Sequence, residues 1–474
     1  MPDFASLNIA SIMPMIIIVL GALGILSLDM ILGKFYQGIY ISLSVIIIAL
    51  SLFSLLYMDS YGSGFFYFVE IDGFSLVAQA IILTTSIFFV LLSKGDYKEF
   101  RYGEFYALFL FVIAGYQFMS AGSNLILIFI ALEASSLALY AMIALNRTDK
   151  GLEAALKYFT LGAFGSGLFA FGLVFIYASV GSLDIADLAL ISQMNTQETP
   201  KFLLLGFVFL LGALGFKLSF FPFHSWVPDI YEGSNPPLAF YMSIATKIAA
   251  FIVALRIFGI FLEFPFVKII LFITIALTTT IPNIIALWQS DVQRMLAYSS
   301  ISQAGFGLAC IFVGTGDSIN ALFLYWILFA FSNLGAFGLL WVVHNKDGAP
   351  FSRFSGLIKS APLIAICFAI FMLSLGGIPP FGLFWGKIFV ISSAINGGHI
   401  ALAIILLINS GIAIYYYIKL IIFMFLKEPD SAPQIAESTT LPIIGVITIA
   451  VIVCVGSLLL LGTILSHLGQ YLGF

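Results

Sequence analysis

The sequence predicts an all-α polytopic membrane protein: about fourteen transmembrane helices in one membrane domain (1–474), with two inverted-topology five-helix repeats, each containing a broken helix. Three observations lead there. Hydrophobic residues make up 62% and charged residues 9%, against about 45–50% and 25% in soluble domains, and the mean hydropathy is +1.14. Apolar runs of membrane-spanning length follow one another from end to end. Two of these runs carry glycine and proline deep inside. So little charge cannot cover a water-facing surface, which excludes a single soluble globule, and disorder needs the opposite composition. With 19 Lys and Arg against 23 Asp and Glu and no basic stripe, nucleic acid is not an expected partner. The partner surface is the lipid bilayer.

Runs bounded by charge, Gly or Pro place the elements in order. The first three, 9–28, 38–58 and 74–93, form an N-terminal group within 1–100. The next five, 105–121, 123–145, 152–179, 202–227 and 237–257, form the first repeat (105–257). Another five, 266–287, 295–314, 318–343, 361–395 and 400–426, form the second (266–427), and 441–465 makes a C-terminal helix within 441–474. Each run is far longer than a buried strand needs and none sustains a period of two, so helices are expected, because lipid demands internally satisfied backbone. Met1 to Ile12 holds only Asp3, so a cleaved signal peptide is not expected. Odd-numbered loops hold 11 lysines and arginines, among them Lys34, Lys94, Arg147, Arg294 and Lys346; even-numbered loops hold 3, Lys201, Arg256 and Lys268. The positive-inside rule then puts odd loops in the cytoplasm and both termini outside, on the periplasmic side. The longest outer connection, 180–200, with Asp184, Asp187 and Glu198, reads as an interfacial, partly helical lid or docking loop. The three cysteines, Cys310, Cys367 and Cys454, lie far apart in apolar runs and form no metal or disulfide motif.

The interruptions are Gly215-Phe216-Lys217-Leu218-Ser219-Phe220-Phe221-Pro222 and Gly376-Gly377-Ile378-Pro379-Pro380-Phe381-Gly382. Proline removes a backbone donor and clashes with the carbonyl one turn back. A simple kink is one reading; a broken helix lining a transport path is the other. Spacing favours the second. Lys217 and Lys387 lie 170 residues apart, and Lys247 and Lys419, each in the next span, 172 apart. The breaks fall in the seventh and twelfth runs, a shift of five, and an odd shift reverses membrane orientation.

Glu133 is the carboxylate central to a span, and Lys217, Lys247 and Lys387 also lie well away from span ends. Each such charge costs roughly 2.5–3.5 kcal/mol facing lipid, so all four should face the protein interior or water. One reading is a Glu133–Lys packing pair; the other is a proton relay. Lysine suits a relay because its basicity responds to desolvation and to a nearby carboxylate, which arginine's does not. Lys157, one turn after Glu153, either snorkels to the interface or joins the relay. Lys419, eight residues before Lys427, is a further candidate. His224, seven residues and roughly two helical turns after Lys217, either packs or passes a proton. His344, His399 and His467 read as interfacial. With no G-x-G-x-x-G after a strand, no Walker A and no metal-spaced cluster, neither metal nor cofactor is expected on this chain.

Several strings resemble one family. His224-Ser225-Trp226-Val227-Pro228-Asp229-Ile230-Tyr231-Glu232-Gly233 resembles the H-x-W-x-P-D-[VI]-Y-x-G signature of the subunit N branch of the antiporter-like membrane-arm family of proton-pumping NADH-quinone oxidoreductase (respiratory complex I). Asp291-Val292-Gln293-Arg294-Met295-Leu296-Ala297-Tyr298-Ser299-Ser300-Ile301 resembles the motif opening that family's tenth helix, with Gln293 replacing the usual Lys at a cytoplasmic loop position. Leu156-Lys157-Tyr158-Phe159 and Gly376-Gly377-Ile378-Pro379-Pro380 also match, whereas Gly233-Ser234-Asn235-Pro236-Pro237 departs from the usual G-A-P-x-P. The resemblance runs over essentially the whole chain. It implies a fourteen-helix core; Glu133 and Lys217 as the charged pair of a first half-channel; Lys247 as the central relay; Lys387 as the terminal lysine of a second; and His224, Lys157 and Lys419 at typical polar positions. It also implies a bacterial inner membrane, neighbouring membrane-arm subunits including another antiporter-like one, and an electron donor such as NADH, FMN, iron–sulfur clusters and quinone on other subunits. In the implied cycle Lys217 holds a proton while Glu133 is close, and displacing Glu133 sends it through Lys247 toward Lys387. Two alternatives stand beside this reading: a subunit of a multisubunit cation/proton antiporter, disfavoured by the Tyr-Glu-Gly string and the single central carboxylate, and a membrane scaffold, which leaves the buried charges unexplained.

Overall fold

Apolar runs become helices because only a helix satisfies its own backbone within lipid, and polar residues at their ends set the limits. The computed structural model describes residues 7–32, 36–58, 62–94, 98–194, 201–343, 348–428 and 441–472; Asp3, Lys34, Glu198, His344 and Lys346 lie outside the described residues. In chain order the elements are α1 (Met13–Leu32), α2 (Gln37–Leu55), a hairpin of β1 (Gly62–Gly64) and β2 (Val69–Ile71), α3 (Gly73–Leu92), α4 (Gly103–Ala121), α5 (Leu125–Ala144), α6 (Asp149–Val180), α7 (Ile185–Met194), α8 (Lys201–Leu218), α9 (Trp226–Gly233), α10 (Pro236–Phe261), α11 (Pro265–Leu287), α12 (Val292–Val313), α13 (Gly316–Val343), α14 (Leu357–Ser360), α15 (Pro362–Gly376), α16 (Gly382–Asn396), α17 (Ile400–Leu426) and α18 (Leu441–Leu472). Asp72, Asn124, Thr148 and Asp291 each accept from a backbone N–H of the helix they precede, the usual way to satisfy an orphan donor.

Thirteen of these helices are long and apolar enough to cross a membrane, and α15 and α16 are shorter apolar helices. Counted as the two halves of one crossing, α15 and α16 complete the fourteen that the sequence leads one to expect. Both expected breaks are present: the seventh run stops at Leu218 rather than continuing to 227, and the twelfth divides after Gly376. Two features depart from the expectation. A short antiparallel hairpin, pairing Gly62 with Ile71 and Gly64 with Val69, interrupts the all-α plan. Arg256 does not lie in an outer loop, because α10 continues to Phe261.

The chain divides into two compact units, 1–219 with 245–268 and 471–473, and 220–244 with 269–470 and 474. In the first, α4 packs on α3 through Phe89 and Phe109 (ring centroids 4.3 Å apart), and α8 packs on α10 through Phe207 and Phe261 at 4.9 Å. The connection after α6 is partly helical, as expected. It is fastened to the start of α5 by Asn124 Nδ2 donating to Asp184 Oδ1 at 2.6 Å, and by Leu125 N–H donating to the Leu183 carbonyl at 2.9 Å. Arg256 explains the hairpin: its Nη2 donates to both Asp72 carboxylate oxygens at 2.9 and 3.0 Å and its Nη1 to Glu70 at 3.3 Å. The Arg256 and Asp72 side chains are 8% and 16% exposed, so removing one partner strands the other charge. Arg256→Ala is expected to cost about 3 kcal/mol, seen as a lower thermal midpoint of the purified complex and lower yield of assembled protein; an unchanged midpoint would show that the clamp contributes nothing.

The second unit is built around α12 and α13, both almost entirely buried. Neutral polar pairs join its helices, as expected where lipid offers no competing partners. Asn283 on α11 donates to the Asn409 carbonyl at 3.0 Å and accepts from Tyr416 at 2.9 Å, both on α17. Tyr325 donates to Gln303, and Ser299 bonds the Tyr417 hydroxyl.

Candidate functional site

In the first unit, α8 ends because Ser219 adopts a left-handed conformation (φ 63°) and Pro222 follows with no backbone donor. Lys217 thereby stands in the last turn of α8, where the carbonyl end of the helix favours a cation. It is 2% exposed. Its Nζ donates to Ser136 Oγ at 2.8 Å and lies 5.9 Å from the centre of the Tyr116 ring. Glu133 is one turn before Ser136 on α5, half-buried, and accepts from the Ser166 hydroxyl on α6. Its charge reaches Lys217, yet the two do not form an ion pair within 4 Å: each is parked on a serine. The two groups that the family resemblance pairs thus meet through charge rather than direct contact, because hydroxyls on α5 and α6 take both. The Tyr116 hydroxyl in turn lies 2.6 Å from that of Thr246. Thr246 adjoins Lys247 on α10, which is 1% exposed.

In the second unit the break between α15 and α16 leaves the last α15 carbonyls without helical donors. Lys387, 3% exposed on α16, fills that gap: Nζ donates to the carbonyls of Leu375 at 3.1 Å and Gly376 at 3.2 Å and lies 5.6 Å from the Phe306 ring centre. On the other side of the break, Leu383 N–H, at the start of α16, donates to Ser374 Oγ at 3.2 Å. Gly377 turns the chain at φ 78°, and a Cβ there would sit 2.7 Å from Lys387 Cδ. At the first break, Phe221 N–H donates to Thr278 Oγ1 on α11 at 3.0 Å. The lysines are not placed alike, however: Lys217 precedes its break and Lys387 follows its own. Pro222 and Pro380 are 158 residues apart, so the 170-residue lysine offset is not the register of the breaks.

The remaining candidates separate by position. His224 is not two helical turns beyond Lys217, because residues 219–225 leave the helix; its ring packs 5.5 Å from that of Phe221. Lys157 is 42% exposed and pairs with Glu153 at 2.7 Å, the snorkelling arrangement. Lys419 donates to the carbonyls of Leu287 and Gln289 at 3.3 and 3.0 Å, capping the end of α11, and lies 4.5 Å from the Phe351 ring centre. The two long motifs are latched together. Arg294 Nη1 donates to Asp229 and Glu232 on α9, both at 2.8 Å, and Gln293 Nε2 donates to the carbonyls of Tyr231 and Ser234 at 2.6 and 3.0 Å. Gln293 is therefore a buried residue of α12 rather than a loop position. Sequence reasoning missed Ser136, Ser166, Tyr116 and Thr246. Serine and threonine are common throughout these helices, and only packing selects the ones that meet a charge. Among the described residues no group of three or more His, Cys, Asp and Glu could hold a metal ion.

Broken membrane helices with buried lysines at or beside the breaks define the class first: a polytopic translocating subunit, since intramembrane charge off the lipid face marks an ion or proton pathway. The family described as NADH:quinone oxidoreductase/Mrp antiporter, TM, matches residues 122–413, and the chain belongs to it. More particularly, the chain is 47% identical over 469 residues to NADH-quinone oxidoreductase subunit N of Sulfurimonas denitrificans, covering 94% of this chain and 93% of that one. A chain in the structure of respiratory complex I from Thermus thermophilus with bound aureothin superposes with a TM-score of 0.82 at 29% identity, covering 96% and 98% of the two chains. A chain of the Mrp complex from Dietzia sp. DQ12-45-1b shares the fold alone, with a TM-score of 0.81 at 17% identity over 98% of each.

Proposed function

We propose that this chain is the proton-translocating, antiporter-like subunit N of the membrane arm of NADH-quinone oxidoreductase, coupling quinone reduction elsewhere in the complex to proton movement through buried Lys and Glu residues. It is thus part of a translocase-class enzyme. In this proposal NADH or another donor, FMN, iron–sulfur clusters and quinone belong to other subunits, and a second antiporter-like subunit is its neighbour in a bacterial inner membrane with both termini periplasmic. The repeats are 105–257 and 266–427.

One observation carries the reading. Lys217 and Lys387 are buried in membrane helices and bonded to neutral oxygens. A lysine locked in an ion pair is held in its charged form, whereas one on hydroxyls and carbonyls can give its proton up when its surroundings change. Glu133, Lys217 and Lys247 would serve the first unit and Lys387 the second. His224, Lys157 and Lys419 would be secondary, with Lys157 and Lys419 serving chiefly as interfacial and capping residues.

The cation/proton antiporter alternative is tested in the reconstituted complex. Quinone-linked turnover should acidify or alkalinise the vesicle lumen at the same rate when Na⁺ is replaced by choline. A tenfold loss of proton movement without Na⁺ would favour the antiporter.

A further inference from the structure

We infer that Ser166 is a positioning residue that receives Glu133 in both of its protonation states, an inference that rests on the proposal that Glu133 takes part in proton movement. The Ser166 hydroxyl lies within bonding reach of two acceptors, Glu133 Oε1 and the Gly162 carbonyl one turn earlier on α6, the latter at 3.0 Å. It has one hydrogen to give and lone pairs to receive with. While Glu133 is a carboxylate, that hydrogen goes to it in a charge-assisted bond. When Glu133 takes up a proton, its O–H donates to Ser166 Oγ and the serine turns its own hydrogen to Gly162. The Glu133–Ser166 hydrogen bond is kept in both states, and the serine neither gains nor loses a proton.

Ser136 shows the contrast. Its hydroxyl donates to the Leu132 carbonyl at 2.6 Å and turns a lone pair to Lys217. Lys217, which only donates, needs a serine as acceptor alone, whereas Glu133 needs one that can both donate and accept. The other titratable groups coupled to Glu133 are Lys217 on α8 and the neutral Tyr140 on α5. Neither replaces the serine: Lys217 is engaged with Ser136, and Tyr140 lies on the same helix as Glu133 with its hydroxyl against the surface left open by Gly162. A serine bonded to the carbonyl four residues back is common in membrane helices and by itself indicates packing; the second acceptor, an intramembrane carboxylate, is what sets Ser166 apart.

The test is a double-mutant cycle in the whole complex reconstituted into vesicles, reading the initial rate of proton pumping. Ser166→Ala should lower that rate about tenfold, the loss of one hydrogen bond to a charged group. Ser166→Thr should restore it, and Ser166→Cys, a weaker donor of similar size, should fall between. With Glu133→Gln already present, Ser166→Ala should add less than twofold. A tenfold loss that persists in full on top of Glu133→Gln would mean that the serine acts through packing, and a Ser166→Ala rate within twofold of the unaltered complex would mean that it positions nothing. Normal pumping by Glu133→Gln alone would instead overturn the role of Glu133 and this inference with it.

Discussion

Lys217→Ala is expected to lower proton pumping by the assembled complex at least tenfold, with electron transfer falling alongside it where coupling is tight. The side chain is buried at the end of α8 and bonded to Ser136, so alanine removes the group that would hold the proton and leaves the serine's lone pair without its donor. Lys217→Arg separates chemistry from architecture. Arginine keeps the charge at the carbonyl end of α8 and can still donate to Ser136, but it does not release a proton in a protein. If Lys217 only stabilises packing, arginine should rescue; if it exchanges protons, arginine should fail like alanine. Vesicle pumping, paired with quinone reductase activity on the same preparation, decides between them. Normal pumping by the alanine variant would remove Lys217 from the path.

Gly377→Val is expected to reproduce the effect of Lys387→Ala, again at least tenfold, although the lysine itself is untouched. At φ 78° a β-branched residue is a steric outlier, and its Cβ would meet Lys387 Cδ at 2.7 Å. The ammonium would be pushed off the Leu375 and Gly376 carbonyls, leaving those two acceptors bare in a buried break, which costs roughly 1–3 kcal/mol for each lost partner. Gly377→Ala, smaller but still strained, should fall between valine and glycine. A Gly377→Val complex that assembles and pumps normally would show that Lys387 does not need this seat.

Much of this architecture is legible in the sequence because its causes are local. Apolar run length set the crossings, and glycine with proline marked both breaks. The charges at 133, 217, 247 and 387 stood out because lipid makes them costly. What could not be read depends on which faces meet. Nothing local distinguishes Ser136 or Ser166 from the other serines of these helices, and Ser299, Gln303 and Tyr417 form a network only after α12 and α17 pack. The lysine offset pointed to two broken helices but could not give their register, for the same reason. A lysine side chain reaches about one helical turn, enough to serve a break from either side, so Lys217 and Lys387 each meet their own break without sharing a register. Arg256 was misplaced because an arginine at the end of an apolar run looks like a loop residue until a carboxylate arrives from a distant hairpin.

That last contact has a mechanical consequence. Lys247 sits nine residues before Arg256 on the same helix, about 14 Å along its axis. With the far turn riveted to Asp72, α10 resists travel along its own length within this unit. Lys247 therefore rides on a helix moored about 14 Å away, and cutting that mooring would free the helix to slip along its own axis.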